Sequence, residues 1–277
     1  MKKKGSLLIC LLLAGIMLLA GCAAGPPKTA AELLERNKKK SPDNYHMAGE
    51  IVMDMSATAA GYSLDFPMTM AMDMDLKGQN AHGTVNVKME FLGQNVDETV
   101  EVYSSADENG TVGYAKDKSG TWTRSTQDTS DLYRLGSSFL ENASFDEAEF
   151  TYDKEAGTYT VAMKMGDLMK NEAYRKALKE YDKTSFGEIN MGEDQIDGIL
   201  DNMEKADITY VFEDKGYTLT NAKVENMIYE ASMEESGIPV KMTVSQTMDF
   251  DYSDYGNITE EAVTVPEDVA ASAEEAE

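Results

Sequence analysis

Between residues 62 and 76 every second side chain is apolar, with Pro67 and Ala71 the two apolar residues on the other parity: Tyr62, Leu64, Phe66, Met68, Met70, Met72, Met74 and Leu76. Ser63, Asp65, Thr69, Asp73 and Asp75 lie between them, and Lys77 closes the run. Successive side chains of a strand point to opposite faces, so this pattern predicts a long strand buried on one side only. The same alternation precedes it in Tyr45, Met47, Ile51, Met53 and Met55. It follows again in Val85, Val87, Met89 and Phe91. Gly78-Gln79-Asn80 and Gly93-Gln94-Asn95 read as turns between these runs, and further strands are predicted over residues 96–103, 111–115 and 121–124. Strands at this spacing indicate an antiparallel meander.

The remainder is less regular. Thr29-Ala30-Ala31-Glu32 fits a capping box, so a helix is predicted from Thr29 to Lys40, ended by Ser41-Pro42-Asp43-Asn44. A polar interval, 125–130, follows the meander, and 132–140 reads as a short helix. Residues 150–152 and 158–165 flank a turn at 153–157, which reads as a hairpin. Leu168, Tyr174, Ala177, Leu178 and Tyr181 mark one amphipathic helix; Ile196, Ile199, Leu200 and Met203 mark another. Strands resume at 208–212 and 217–231, and Val240, Met242, Val244, Met248, Phe250 and Tyr252 alternate once more. The expectation is an α+β chain, mainly β, with one domain over 29–269. The small and acidic residues 270–277 are expected to be a disordered tail.

The N-terminus carries an address. Lys2, Lys3 and Lys4 precede an apolar run over 7–20, too short for an ordinary spanning helix. Its exit, Leu19-Ala20-Gly21-Cys22, resembles the lipobox of bacterial lipoprotein signal peptides in all four positions. The resemblance implies a signal peptide over 1–21, diacylglycerol on Cys22, and a short linker over 22–28. The expected location is the extracytoplasmic side of the cell membrane, with the membrane as partner through the lipid. Two acyl chains anchor stably where one does not. The only other cysteine, Cys10, leaves with the signal, so the mature chain has no disulfide and no thiol nucleophile.

With 25 basic and 50 acidic residues, the net charge is −25. That disfavours nucleic acid, which needs clustered Lys and Arg. It also disfavours a body lying flat on an anionic bilayer. Catalysis has little to stand on. His46 and His82, the only histidines, fall on the polar parity or at a strand start and read as exposed. There is no Gly-x-Ser-x-Gly elbow and no Gly-rich phosphate loop. Asp73 with Asp75, and Asp249 with Asp251, share strand faces and read as a solvated acidic surface. The expectation is no enzyme, no cofactor and no metal site.

Three features resemble the LolA/LppX-like group of lipoprotein carriers. They are the helix before a long first strand, the stretch Tyr114-Ala115-Lys116-Asp117 with Gly120-Thr121-Trp122, and the closing Val263-Thr264-Val265-Pro266. The resemblance spans nearly the whole mature chain. It implies a strongly curved antiparallel sheet, an incomplete barrel packed over a few helices, enclosing an apolar cavity for acyl chains. It transfers no particular site residues, and the 19 methionines depart from it. Methionine is unbranched and polarizable and suits adaptable apolar surfaces. Candidate lining residues are Met53, Met55, Leu64, Phe66, Met68, Met70, Met72, Met74, Val85, Val87 and Met89, and the expected ligand is a lipid or other hydrophobic molecule. Two other readings stand beside this one. One is a structural or sensory envelope protein acting through protein contacts. The other is a thioether site for Cu(I) on the Met-x-Met run, against which Leu64, Phe66 and Leu76 share its face.

Overall fold

Thr29 starts the first helix, α1 (Ala30–Lys40), where its hydroxyl accepts the Glu32 N–H at 3.2 Å. The Glu32 carboxylate reaches back to the N–H of Lys28 at 2.8 Å, one residue beyond the expected cap. Lys38, Lys39 and Lys40 fill the last turn, where positive charge complements the exposed carbonyls. Ala30, Leu33 and Leu34 are buried, and full burial of a leucine contributes about 1.5–3 kcal/mol. The helix is tied down by polar contacts as well. Asn37 donates to the Tyr217 carbonyl at 2.8 Å, and Arg36 donates to the Tyr217 hydroxyl at 3.1 Å.

The computed structural model describes residues 25–91, 93–107, 110–125, 145, 147–170, 172, 198, 200–235 and 238–275. The strands are β1 (Asn44–Ala59), β2 (Tyr62–Lys77), β3 (Asn80–Phe91), β4 (Gln94–Asp107), β5 (Gly110–Lys116) and β6 (Trp122–Ser125). They continue with β7 (Glu149–Asp153), β8 (Thr158–Lys164), β9 (Asp207–Glu213), β10 (Leu219–Glu235), β11 (Ile238–Ser253) and β12 (Glu274–Glu275). Short helices α2 (Met165–Met169), α3 (Glu260–Val263) and α4 (Glu267–Ser272) accompany them. All the strands form one sheet in the order β12-β6-β5-β4-β3-β2-β1-β11-β10-β9-β8-β7. The chain enters at the centre with β1 and runs strand by strand to one edge. It resumes at the other edge with β7 and returns to the centre with β11. The two predicted meanders are thus one open, curved sheet, antiparallel except where β12 pairs parallel with β6.

The strands differ greatly in length. β1, β2 and β11 have 16 residues each and β10 has 17, against 7 in β8 and β9. At about 3.3 Å per residue the long strands reach roughly 50 Å, well past the short ones. Glycines on the long strands allow close approach of neighbouring backbone. A Cβ on Gly83 would lie 2.0 Å from the Asp73 carbonyl oxygen, and one on Gly49 would lie 2.2 Å from that of Asp249. Such positions within a sheet mark tight bends. β10 also carries a bulge: Val224 opposes Met248, and the next paired residue, Met227, opposes Gln246. Asn226 sits in the bulge at φ +56°, a conformation Asn tolerates better than most residues, and donates to Asp207 at 2.9 Å.

One sequence expectation changes here. The acidic end is not structureless up to residue 275: it forms α4 and then β12, with Arg124 3.5 Å from Glu275. Backbone pairing, which composition does not reveal, orders it. The segment from Val263 to Pro266 joins two short helices and buries the Val263 side chain. The predicted helix at 132–140, most of the two central helices, and the signal peptide with Cys22 lie outside the described residues. Leu168 is in α2, and Gly198 and residues 200–203 are helical.

Candidate functional site

Register decides which side chains share a face, because cross-strand partners point the same way with Cβ atoms about 4.5–5.5 Å apart. Met53 of β1 opposes Met68 of β2, which opposes Met89 of β3. The adjacent row is Ile51, Met70 and Val87, and the next is Gly49, Met72 and Val85. In the other direction Met55 faces Phe66, and Ala57 faces Leu64. The sequence candidates therefore do form one patch on one face. The patch continues onto β11, where Met242, Val244, Gln246 and Met248 oppose Ala57, Met55, Met53 and Ile51.

This face has two regimes. Under α1 and α2 it is closed. Val161, Ile208, Phe212, Leu33, Leu168 and Leu200 form one core there, each essentially without exposure. On β1 to β3 the candidates Met53, Met55, Leu64, Phe66, Met68, Met70, Met72, Val85, Val87 and Met89 are half-buried. Met74 differs: it is fully buried in a small second core with Leu76 and Ala81, so it is a packing residue and not a lining one. At the far end of β2, Tyr62 is 82% exposed.

The opposite face is polar, as alternation requires. The register places Glu50, Asp54, Asp73, Asp249 and Asp251 there, opposite to the methionines. Asn221 donates to Asp249 at 2.8 Å and to Asp251 at 2.9 Å. The two histidines also lie on this face, but they are less exposed than their parity implied: their side chains are 26% (His46) and 29% (His82) accessible. His46 Nδ1 is 2.9 Å from Asp75, and His82 stacks on Tyr103 at 4.0 Å with Nε2 3.3 Å from Glu101. Partial burial would raise the Glu101 pKa, but the Lys116 and His82 hydrogen bonds outweigh it and hold the carboxyl below its ordinary value. The stretch from Tyr114 to Trp122 is the β5–β6 hairpin. Asp117 braces its turn by accepting the Ser119 hydroxyl and the Thr121 N–H, which lowers its own pKa. Burial raises the Tyr210 and Tyr252 hydroxyls far above their ordinary range, so both stay neutral. Among the described residues no group of three or more His, Cys, Asp or Glu is arranged to hold a metal, and no helix is long and apolar enough to cross a membrane.

Sequence reasoning missed the β11 side of the patch, above all Gln246. Its signal was present: Gln246 is the one polar residue on the apolar parity between Val240 and Tyr252, leaving aside the tyrosine hydroxyl itself. It is also buried, at 9% exposure. The β10 bulge brings Met227 opposite it, a pairing that unbroken alternation along β10 does not predict.

Comparison with known proteins adds a family and little else. The model of a family of unknown function, DUF6612, matches residues 29–274. No curated protein matches the chain. Among solved structures, a DUF1329 family protein from Desulfovibrio piger ATCC 29098 is similar at 9% identity and a TM-score of 0.25, over 84% of this chain and 97% of that one. A likeness that slight carries no argument here.

Proposed function

We propose a function on the premise that the chain belongs to the DUF6612 family, a family of unknown function. It is a lipoprotein held on the outer side of the cell membrane through Cys22, and it binds a lipid or other apolar ligand against the methionine-rich face of β1, β2, β3 and β11. One observation carries the reading: a continuous apolar face whose methionine and aliphatic side chains are half-buried, beside a closed core built on the same face. Methionine adapts its three rotatable bonds to a flexible chain. Each methylene moved from water to such a surface contributes about 0.8 kcal/mol. Ten would contribute roughly 8 kcal/mol before the costs of ordering are subtracted. The start of α1 soon after Cys22 supports a working position close to the bilayer.

The test is mass spectrometry of organic extracts from the purified protein, with titration of a fluorescent fatty-acyl probe. Co-purified lipid and saturable probe binding are expected. Recovery of no lipid together with no probe binding removes the reading. The anchor is tested separately by metabolic labelling with palmitate. Label in the wild type and none in Cys22→Ser is expected, and equal labelling would show that Cys22 is not the acceptor.

A further inference from the structure

Gln246 stands out on the apolar face. It is 9% exposed, and its cross-strand neighbours are Met53 on β1 and Met227 on β10. Its neighbours two positions along β11 on the same face are Val244 and Met248. Its side-chain amide forms no hydrogen bond with any described residue. Three of the four other buried polar residues do have partners: Asn37 donates to the Tyr217 carbonyl, Asn44 accepts from Ile258, and Thr218 donates to Glu213. Its amide atoms keep contact with solvent, since among the described residues Arg124 Nε alone is a buried side-chain polar atom without a partner; a leucine or methionine at 246 would complete the apolar face with no polar group to hydrate.

We infer that Gln246 is the polar contact of the ligand site, and that the ligand is a neutral long-chain acyl ester or amide, an acylglycerol in the simplest case. The inference rests on the apolar-ligand reading above and deepens it. A primary amide offers two N–H donors and a carbonyl acceptor, which suits a carbonyl beside a hydroxyl or N–H. Charge settles the class. On this face of β1, β2, β3 and β11 the described positions from Tyr45 to Met89 and from Val240 to Tyr252 carry no charged side chain. An ionised carboxylate or phosphate at Gln246 would lose its hydration without gaining a cation. A neutral carbonyl loses far less and gains the amide.

The test measures affinity of the purified full chain for three probes by competition against a fluorescent acyl ester: 1-monooleoylglycerol, oleate at pH 8, and 1-octadecene. Wild type is compared with Gln246→Leu and Gln246→Met, so that one well-folded variant suffices. The expected result is about tenfold weaker monooleoylglycerol binding in the variants, with octadecene unchanged. Wild type should also bind monooleoylglycerol more tightly than oleate. Melting without ligand should be unchanged or higher in the variants, whereas a purely structural glutamine would lower it. If monooleoylglycerol and octadecene affinities change in parallel or not at all, Gln246 is not the polar contact, while the apolar-ligand reading stands. Oleate binding as tightly as the ester overturns the neutral class. If no probe binds wild type, both readings fall.

Discussion

The apolar face of the sheet divides into two regions that use the same kinds of side chain for different ends. Under α1, the short strands β8 and β9 with the start of β10 present Val161, Ile208 and Phe212 to Leu33 and Leu34, and little of them is left open to solvent. On the long strands the matching positions hold Met53, Met68 and Met70, which stay half-buried. Local pattern does not separate the regions, since both alternate. What separates them is whether a helix lies over the face, and how far each strand runs beyond it. A half-covered methionine surface gains less from burial within the chain, and it retains area that a ligand can cover.

The sharpest way to break this contrast is a pair of truncations. Phe212→Ala should destabilise the protein by about 3–5 kcal/mol, because a fully buried ring leaves a cavity. Met68→Ala should cost about 1 kcal/mol or less, since much of its transfer free energy is not yet realised. Urea unfolding followed by circular dichroism measures both, and equal losses would make the methionine face ordinary core. A bound apolar ligand should then reverse the asymmetry. At a free concentration one hundred times its Kd, a ligand stabilises by about 2.7 kcal/mol. That gain should appear as a raised Tm in wild type and shrink in Met68→Ala with Met70→Ala, while a Leu33→Ala protein, though less stable, keeps the full increment.

Curvature offers a smaller probe. Gly83→Ala places a Cβ against the Asp73 carbonyl and the Met74 backbone, so β2 and β3 must move apart. A loss of about 1–3 kcal/mol is expected, read as a shift in urea midpoint. No loss would mean that the two strands separate without strain. The smallest effect concerns the bulge that turns Met227 toward Gln246. The Lys164 ammonium and the Asn226 amide hold the Asp207 carboxyl below the usual carboxylate range. A carboxyl whose folded pKa is depressed stabilises fully above its unfolded pKa, near 3.9, and loses that contribution as pH falls through the folded value. Tm measured from pH 7 down to pH 2 should therefore fall more steeply below about pH 4 in wild type than in Asp207→Asn. Identical acid limbs would show that Asp207 does not stabilise the bulge.

Much of this architecture is legible residue by residue. The alternation from Tyr62 to Leu76 reports β2, its faces and its length, because a period of two has one structural meaning over that many residues. The Thr29 cap and the Gly78 and Gly93 turns are local for the same reason. Gln246 was only half legible: its type and parity are in the sequence, but its burial depends on β1 and β10 lying on either side. The bulge at Asn226 was not legible at all, since it shifts parity within a strand whose alternation is already weak.

The amino-acid order by itself thus determined the strands, their apolar sides, the first helix and an acidic outer surface, all set by neighbours a few positions apart. Only the tertiary structure decided that β1 and β11 pair and merge two meanders into one sheet. It also decided that α1 covers β8 to β10, that Met74 is core while Met68 and Met70 line an open face, and that residue 275 is held by β6. Each of these joins segments far apart in the chain, and their energy comes from surfaces that meet only after folding.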